Sequence, residues 1–249
     1  LGATQLNALN VDDLSTAQVA GLNATAAAAL SSDQARAFTA TQIGSLSASA
    51  LGALASDDLQ AWDAGQLGAI TAKQLAGMTA TAIANFSETQ LGDLTTAQVQ
   101  GFTSTQLNAI DTLQLNALDA TKLSTAQIKA LTATTVGNLS TDQAQALTVT
   151  QIGALTTGGL DALSSDEVQG WDAGQLAAVT AKQLAALSTT ALADFSDTQL
   201  GSLTSTQVRG LTSTQLNTLG ATQLNALNVD DLSTAQVAGL NATAAAALS

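Results

Sequence analysis

Apolar residues return along this chain with a period of eight. In residues 94–109, LTTAQVQGFTSTQLNA, Leu94 and Phe102 open two successive octads, and Val99 and Leu107 follow five residues after each. Between the two apolar positions come a Ser or Thr, two variable residues and a Gln, so the unit reads L-[ST]-x-x-Q-[LVI]-x-[AG]. A hydroxyl followed three residues later by Gln is a capping box. The hydroxyl accepts from the third helical N–H, and the Gln side chain accepts from the cap's own N–H. The apolar residues that bracket the box form a hydrophobic staple across the helix entrance. Each octad therefore predicts a helix start, with room for about one and a half turns before the next cap.

The pattern covers the chain. Of 29 complete octads, 20 carry Gln at position 5, 21 carry Ser or Thr at position 2, and all are apolar at position 1. The other position-2 residues include Asp63, Asp111, Asp172, Asn23, Asn241, Gly2 and Gly220, all acceptable caps; only Ala55 is not. A single long helix is excluded, because position 1 would rotate by about 80° per octad and form no fixed face. A strand is excluded because positions 1 and 6 have opposite parity. Disorder would predict few aliphatics, yet 46% of residues are hydrophobic. One octad buries too little apolar surface to offset the ordering of its own backbone, so octads must stack. The expectation is an all-α solenoid of stacked short helices, one per eight-residue repeat.

A longer period lies over the short one. Residues 1–109 hold 13 octads and one pentad, Leu9–Asp13, and residues 110–218 repeat that plan with a pentad at Leu118–Lys122. WDAGQLGAITAKQL at 62–75 returns as WDAGQLAAVTAKQL at 171–184, and residues 219–249 are identical to residues 1–31. The organisation expected is super-repeat 1 over 1–109, super-repeat 2 over 110–218 and the start of a third over 219–249, in one continuous solenoid rather than independent domains. Leu1 is neither an initiator Met nor the start of a signal peptide, so the chain reads as a window on a longer array. Phe38, Phe86, Phe102, Phe195, Trp62, Trp171 and Met78 all stand at position 1, on the expected core line. The 24-residue spacing of Phe38, Trp62 and Phe86 points to three octads per coil, whereas the 14 units of a super-repeat divide by two and not by three. Glycines cluster at positions 7 and 8, where a helix end could use a left-handed residue.

Composition narrows the chemistry. The chain has no Cys, His, Tyr or Pro, which removes disulfides, thiolate chemistry, the usual zinc sites and the commonest general base. Net charge is −13, but only 10% of residues are charged, so the surface is mainly Thr, Ser, Gln, Asn, Ala and Gly. Six basic residues (Arg36, Lys73, Lys122, Lys129, Lys182, Arg209) cannot make a phosphate-tracking stripe, so no nucleic-acid partner is expected. No apolar run approaches a membrane span.

Four acidic pairs are the candidate metal ligands: Asp12 with Asp13, Asp57 with Asp58, Asp166 with Glu167, and Asp230 with Asp231. None lies in a D-x-[DN]-x-[DN]-G loop or a glycine-rich nonapeptide, and four of the eight residues fall at octad positions 4 and 5. There a carboxylate favours the helix dipole and can replace the capping Gln, so capping is preferred and calcium is kept as the lesser reading. Lys73 and Lys182, at position 4, are expected to be solvated, and nothing marks the other lysines as buried. The many hydroxyls have no His to activate them, and no nucleophile elbow or phosphate loop is present. No catalytic, cofactor-binding or metal-binding residue is assigned, and the chain is expected not to be an enzyme. Four N-x-[ST] sequons, at Asn23, Asn85, Asn138 and Asn241, are at the level that so much Ser and Thr produces by chance.

With the octad and super-repeat in view, the chain resembles the L-[ST]-x-x-Q-[LV]-x-A tandem-repeat regions of very large secreted or surface proteins of bacteria, often adhesin-like. The resemblance spans the whole chain and rests on that motif. It implies export by a route without a signal peptide, an extracellular or cell-surface location, and a role as fibre, stalk or filament that self-associates. A second expectation is a surface-adsorbing module for polysaccharide, mineral or ice, built on a lattice of Thr, Ala and Gly; the capping duty of position 2 argues against it. In the stacked-octad reading, Leu94→Asp unfolds its octad and the neighbours, while Gln100→Ala does little.

Overall fold

A computed structural model describes residues 8–248. The first octad, apart from its last residue, lies outside the described residues. Among the described residues there are 28 α-helices, three single turns of 3-10 helix and no strand. The helices are four to six residues long, one per octad, and the 3-10 turns Val11–Asp13, Ala120–Lys122 and Val229–Asp231 are the three pentads. The all-α solenoid reading holds.

Local structure follows the capping box. In helix Thr96–Val99, the cap Thr95 is extended (φ −67°, ψ 160°), its Oγ1 accepts from the Gln98 N–H, and Gln98 Oε1 accepts from the Thr95 N–H. Helices of six residues end where position 1 of the next octad turns extended, as Leu94, Leu147 and Leu155 do with ψ of 136°, 131° and 139°, and shorter ones end a residue or two sooner, as Thr96–Val99 does at Gln100. A six-residue helix is thus stopped by an extended residue, and the next cap follows at once.

The chain forms two compact units, residues 1–123 and 124–249. Within each, an element packs mainly against the third one after it, as helix Thr16–Ala20 does on Ala40–Ser45 and Ala181–Ala186 does on Ser205–Gly210. Three octads therefore make one coil, which is what the 24-residue aromatic spacing implied. The pentad occupies a full place in the coil, since Val229–Asp231 packs against helix Ser205–Gly210, three units earlier. The divisibility argument against three fails because super-repeats need not begin at the same point of a coil.

Positions 1 and 6 form the core. Leu94, Val99, Ile43, Leu59, Leu184 and Val208 are buried. All six aromatic residues and Met78 are buried as well, and the indole Nε1 of Trp62 and Trp171 donates to the carbonyls of Ala35 and Ala144, both at 2.9 Å.

The glycine expectation needs correction. Among the described residues no glycine has positive φ. Gly21, Gly52 and Gly170 end their helices in the right-handed region. Where glycine is required, the reason is approach between coils. A Cβ on Gly101 would lie 2.7 Å from the Ala72 Cα and carbonyl oxygen, and one on Gly210 would lie 2.8 Å from the Ala181 carbonyl oxygen. These two contacts are the same site, 109 residues apart.

Candidate functional site: the glutamine ladder between coils

Fifteen glutamines are buried among the described residues, and every one stands at octad position 5. A capping Gln at a solvated helix start has no reason to be buried. The geometry supplies one.

Gln98 is representative. Its Oε1 accepts from the Thr95 backbone N–H and from the Thr95 hydroxyl, both at 2.9 Å. Its Nε2 donates to the carbonyls of Leu67 and Ile70, both also at 2.9 Å. Leu67 lies in the last turn of helix Ala64–Gly68, and Ile70 opens the octad after it, one coil below. One side chain thus caps the N-terminus of its own helix and the C-terminus of a helix in the preceding coil. The four hydrogen bonds use every polar atom of the amide. They also fix its orientation, because acceptors face Nε2 and donors face Oε1.

The spacing repeats. Donation to the carbonyls 31 and 28 residues back occurs at Gln42, Gln74, Gln183, Gln207 and Gln215, with N···O distances of 2.7–3.2 Å. Gln236 reaches 28 and 25 residues back instead, to Val208 and Leu211. The shortfall of three is the difference between an octad and the pentad that intervenes. These bonds explain why helix ends need no left-handed glycine: their free carbonyls are taken by the next coil.

Sequence reasoning found the box and missed the second half of the Gln's work. A signal was present. A capping box accepts Glu as readily as Gln, yet position 5 is Gln 20 times and Glu once, at Glu167. Only the amide can donate while it accepts. Lys122, which nothing marked as buried, is a further member. It closes the second pentad, and its Nζ donates to the Leu94 carbonyl at 2.7 Å and the Gly92 carbonyl at 3.4 Å. Leu94 is 28 residues before it, where a Gln would reach. Lys122 also lies 3.6 Å from Asp119 Oδ2. The Thr121 hydroxyl, bonded to Asp119 Oδ1 at 2.6 Å, is the main cause holding the Asp119 carboxyl below its ordinary value; the Thr121 N–H and the Lys122 charge add to it, and burial opposes.

A family model for the ALTTAQ repeat matches residues 121–157. No curated protein matches the chain. The chain is a tandem-repeat protein. The matched stretch contains Ala146–Gln151, ALTVTQ, which is position 8 of one octad followed by positions 1 to 5 of the next.

Set in this tandem repeat, the candidate ligands separate. Asp58 and Glu167 are buried, while their neighbours Asp57 and Asp166 are not. Glu167 does replace the capping Gln: its Oε2 accepts from the Ser164 N–H at 2.6 Å and the Ser164 hydroxyl at 2.8 Å. Asp58 does not, because its cap is Ala55 and makes no side-chain bond. Its Oδ1 is buried 3.2 Å from Arg36 Nε in an ion pair whose geometry falls short of a hydrogen bond. Among the described residues no three Asp, Glu, His or Cys side chains gather as a metal would need. Asn23 and Asn241, read as sequons, are helix caps that accept from Ala26 and Ala244 N–H.

The second unit carries an open depression of about 440 Å³ whose walls include Lys129, Thr157, Thr180 and Lys182. Thr180 donates to Gln183, and Gln183 donates to the Ile152 and Leu155 carbonyls, so both belong to the ladder. The two lysines are exposed, and 109 residues earlier their places are held by Ala20 and Lys73. Among the described residues no helix is long and apolar enough to cross a membrane.

Proposed function

We propose that this chain is a structural segment of a fibre, stalk or filament at a bacterial surface or outside the cell, and that it catalyses no reaction. The observation that supports this reading most is the glutamine ladder. Side chains at positions 1, 5 and 6, placed with great regularity in the sequence, hold one coil on the last, and the Gln contacts recur in the octads that carry Gln. Such a structure extends by repetition, because each repeat depends on its neighbours alone. The resemblance to repeat regions of large adhesin-like proteins supports the location.

The adsorbing-module reading draws less support. Position-2 hydroxyls such as Thr95, Thr103, Thr148 and Thr180 donate to their own Gln Oε1, so they are not arrayed outward for a lattice.

The test is localisation and shape together. Gold-labelled antibody against the chain, applied to unbroken cells and to culture supernatant, should decorate thread-like material by electron microscopy. Label confined to the cell interior would overturn the reading. Inhibition of ice recrystallisation, or selective glycan binding, without such threads would favour the adsorbing module.

A further inference from the structure

Asp58, Lys122 and Glu167 stand in the ladder in place of the amide, and they differ in how charge is balanced around them. At Lys122 the tie is itself a cation. Its Nζ lies 2.7 Å from the Leu94 carbonyl oxygen, 3.4 Å from that of Gly92 and 3.6 Å from Asp119 Oδ2. A positive group there holds together two main-chain carbonyls of the coil below and one carboxylate. At Asp58 the cation comes from the coil below, as Arg36 Nε at 3.2 Å. Glu167 has neither arrangement. Among the described residues no Lys or Arg pairs with it, and Gln145, at the equivalent of Arg36, turns its Nε2 to the Asp166 carbonyl.

The surroundings of Glu167 are those of a ligand. The residue is 6% exposed. Its Oε2 is fixed in the capping box by the Ser164 N–H and hydroxyl, at 2.6 and 2.8 Å. Gln183, two octads on, has its Oε1 in that place and its Nε2 on the Ile152 and Leu155 carbonyls, 31 and 28 residues back. By the same register Glu167 Oε1 faces the carbonyls of Val136 and Leu139. Oε1 makes no hydrogen bond among the described residues. Three oxygens, one of them charged, converge without a hydrogen between them, and a buried charge with no partner is strongly unfavourable.

The geometry points to a monovalent cation, Na⁺ or K⁺, bound between Glu167 Oε1 and the Val136 and Leu139 carbonyls. It does at this rung what the Lys122 ammonium does at the second pentad: it turns a repulsion between oxygens into a tie between coils. Main-chain carbonyls can replace the hydration shell of such ions. One carboxylate matches one positive charge. A divalent ion fits poorly, because Ca²⁺ takes roughly six to eight oxygens and the neighbouring Asp166 is exposed.

Hydrogen exchange of the full chain in KCl, NaCl and tetramethylammonium chloride at one ionic strength, read by mass spectrometry, tests it. Tetramethylammonium is too bulky to sit among three oxygens and serves as the inert cation. Helix Ala133–Gly137 should exchange about threefold or more slowly in KCl, NaCl or both, because a bound ion stabilises the closed coil. Helix Ala24–Ala28, in the equivalent place below Asp58 and Arg36, should not respond. Glu167→Gln, which installs the residue of the regular octads, should remove the dependence and slow exchange in all three salts. Equal exchange of the parent in the three salts would overturn the inference. So would a response shared by both helices, which is general screening, or one that survives in Glu167→Gln.

Discussion

Two octads, 54–61 and 163–170, occupy equivalent places 109 residues apart, and neither has the usual Gln. On one side they are alike. Gln60 and Gln169 donate to the Asn85 and Asp194 carbonyls, each 25 residues on, and the Leu59 and Val168 carbonyls accept from Gln90 and Gln199 at 2.8 Å. Both octads therefore serve as acceptors for the coil above. They differ at position 5. Glu167 closes a capping box with Ser164 but, as a carboxylate, has no hydrogen for the Val136 and Leu139 carbonyls, 31 and 28 residues before it. Asp58 is a methylene shorter, follows a cap with no side-chain oxygen, and pairs with Arg36 of the previous coil. At the equivalent of Arg36 the second unit has Gln145, whose Nε2 donates to the Asp166 carbonyl at 2.9 Å. The substitutions go together: where the box is lost a cation supports the buried acid, and where the box is kept no cation is present. The Gln thus performs two separable tasks, capping and tying, and each octad here solves one of them differently.

The strongest way to break that comparison is to make a regular octad resemble 163–170. Gln98→Glu should cost about 3 kcal/mol at neutral pH, more than Gln98→Ala, because it keeps the cap but turns an oxygen toward two carbonyls. Urea unfolding of the three proteins would reverse the reading if Glu proved as stable as Gln. Next is Arg36→Gln, which leaves Asp58 buried without its cation; a loss of about 2 kcal/mol is expected, reduced from a fully buried pair because Arg36 is half exposed. Asp58→Gln in the same background should restore most of it, and a failure of that rescue would show that Arg36 acts through packing. In the opposite direction, Glu167→Gln should raise stability by about 1 kcal/mol by supplying the missing donor, seen as slower amide exchange in helix Ala133–Gly137 of the coil below.

The smallest effect belongs to the other irregular donor. Asp119 has its carboxyl held below its ordinary value of 3.8, so the sign is that of a stabilised carboxylate. Its contribution is complete above that value and disappears as pH falls through the lower folded one. Asp119→Asn should flatten this part of the acid limb of the unfolding curve and change neutral stability by less than about 1 kcal/mol. An unchanged acid limb would mean that Lys122 holds the pentad without it.

Much of this molecule is legible in its sequence because the determinants are local. A cap, a staple and a box act within six residues, so Thr95, Gln98, Leu94 and Val99 announce a helix start wherever the chain lies. The two apolar positions announce a core line, which is where Phe38, Trp62 and Leu94 are found. That the described residues hold no regular secondary structure other than short helices follows from the period. Contacts between coils are a different matter. Whether Gln98 faces water or the Leu67 and Ile70 carbonyls depends on which residues lie 28 to 31 places earlier, and thus on the number of octads in a coil. An octad repeat fits two per coil as well as three, and local hydrogen bonding is the same in both. Packing decides it: side chains at positions 1 and 6 must close around one core, and at three helices per turn the free carbonyls of one coil come within reach of the amides of the next. The sequence alone determined where each helix starts and stops. Only the tertiary structure decided that the residue which starts a helix also ties it to the coil below.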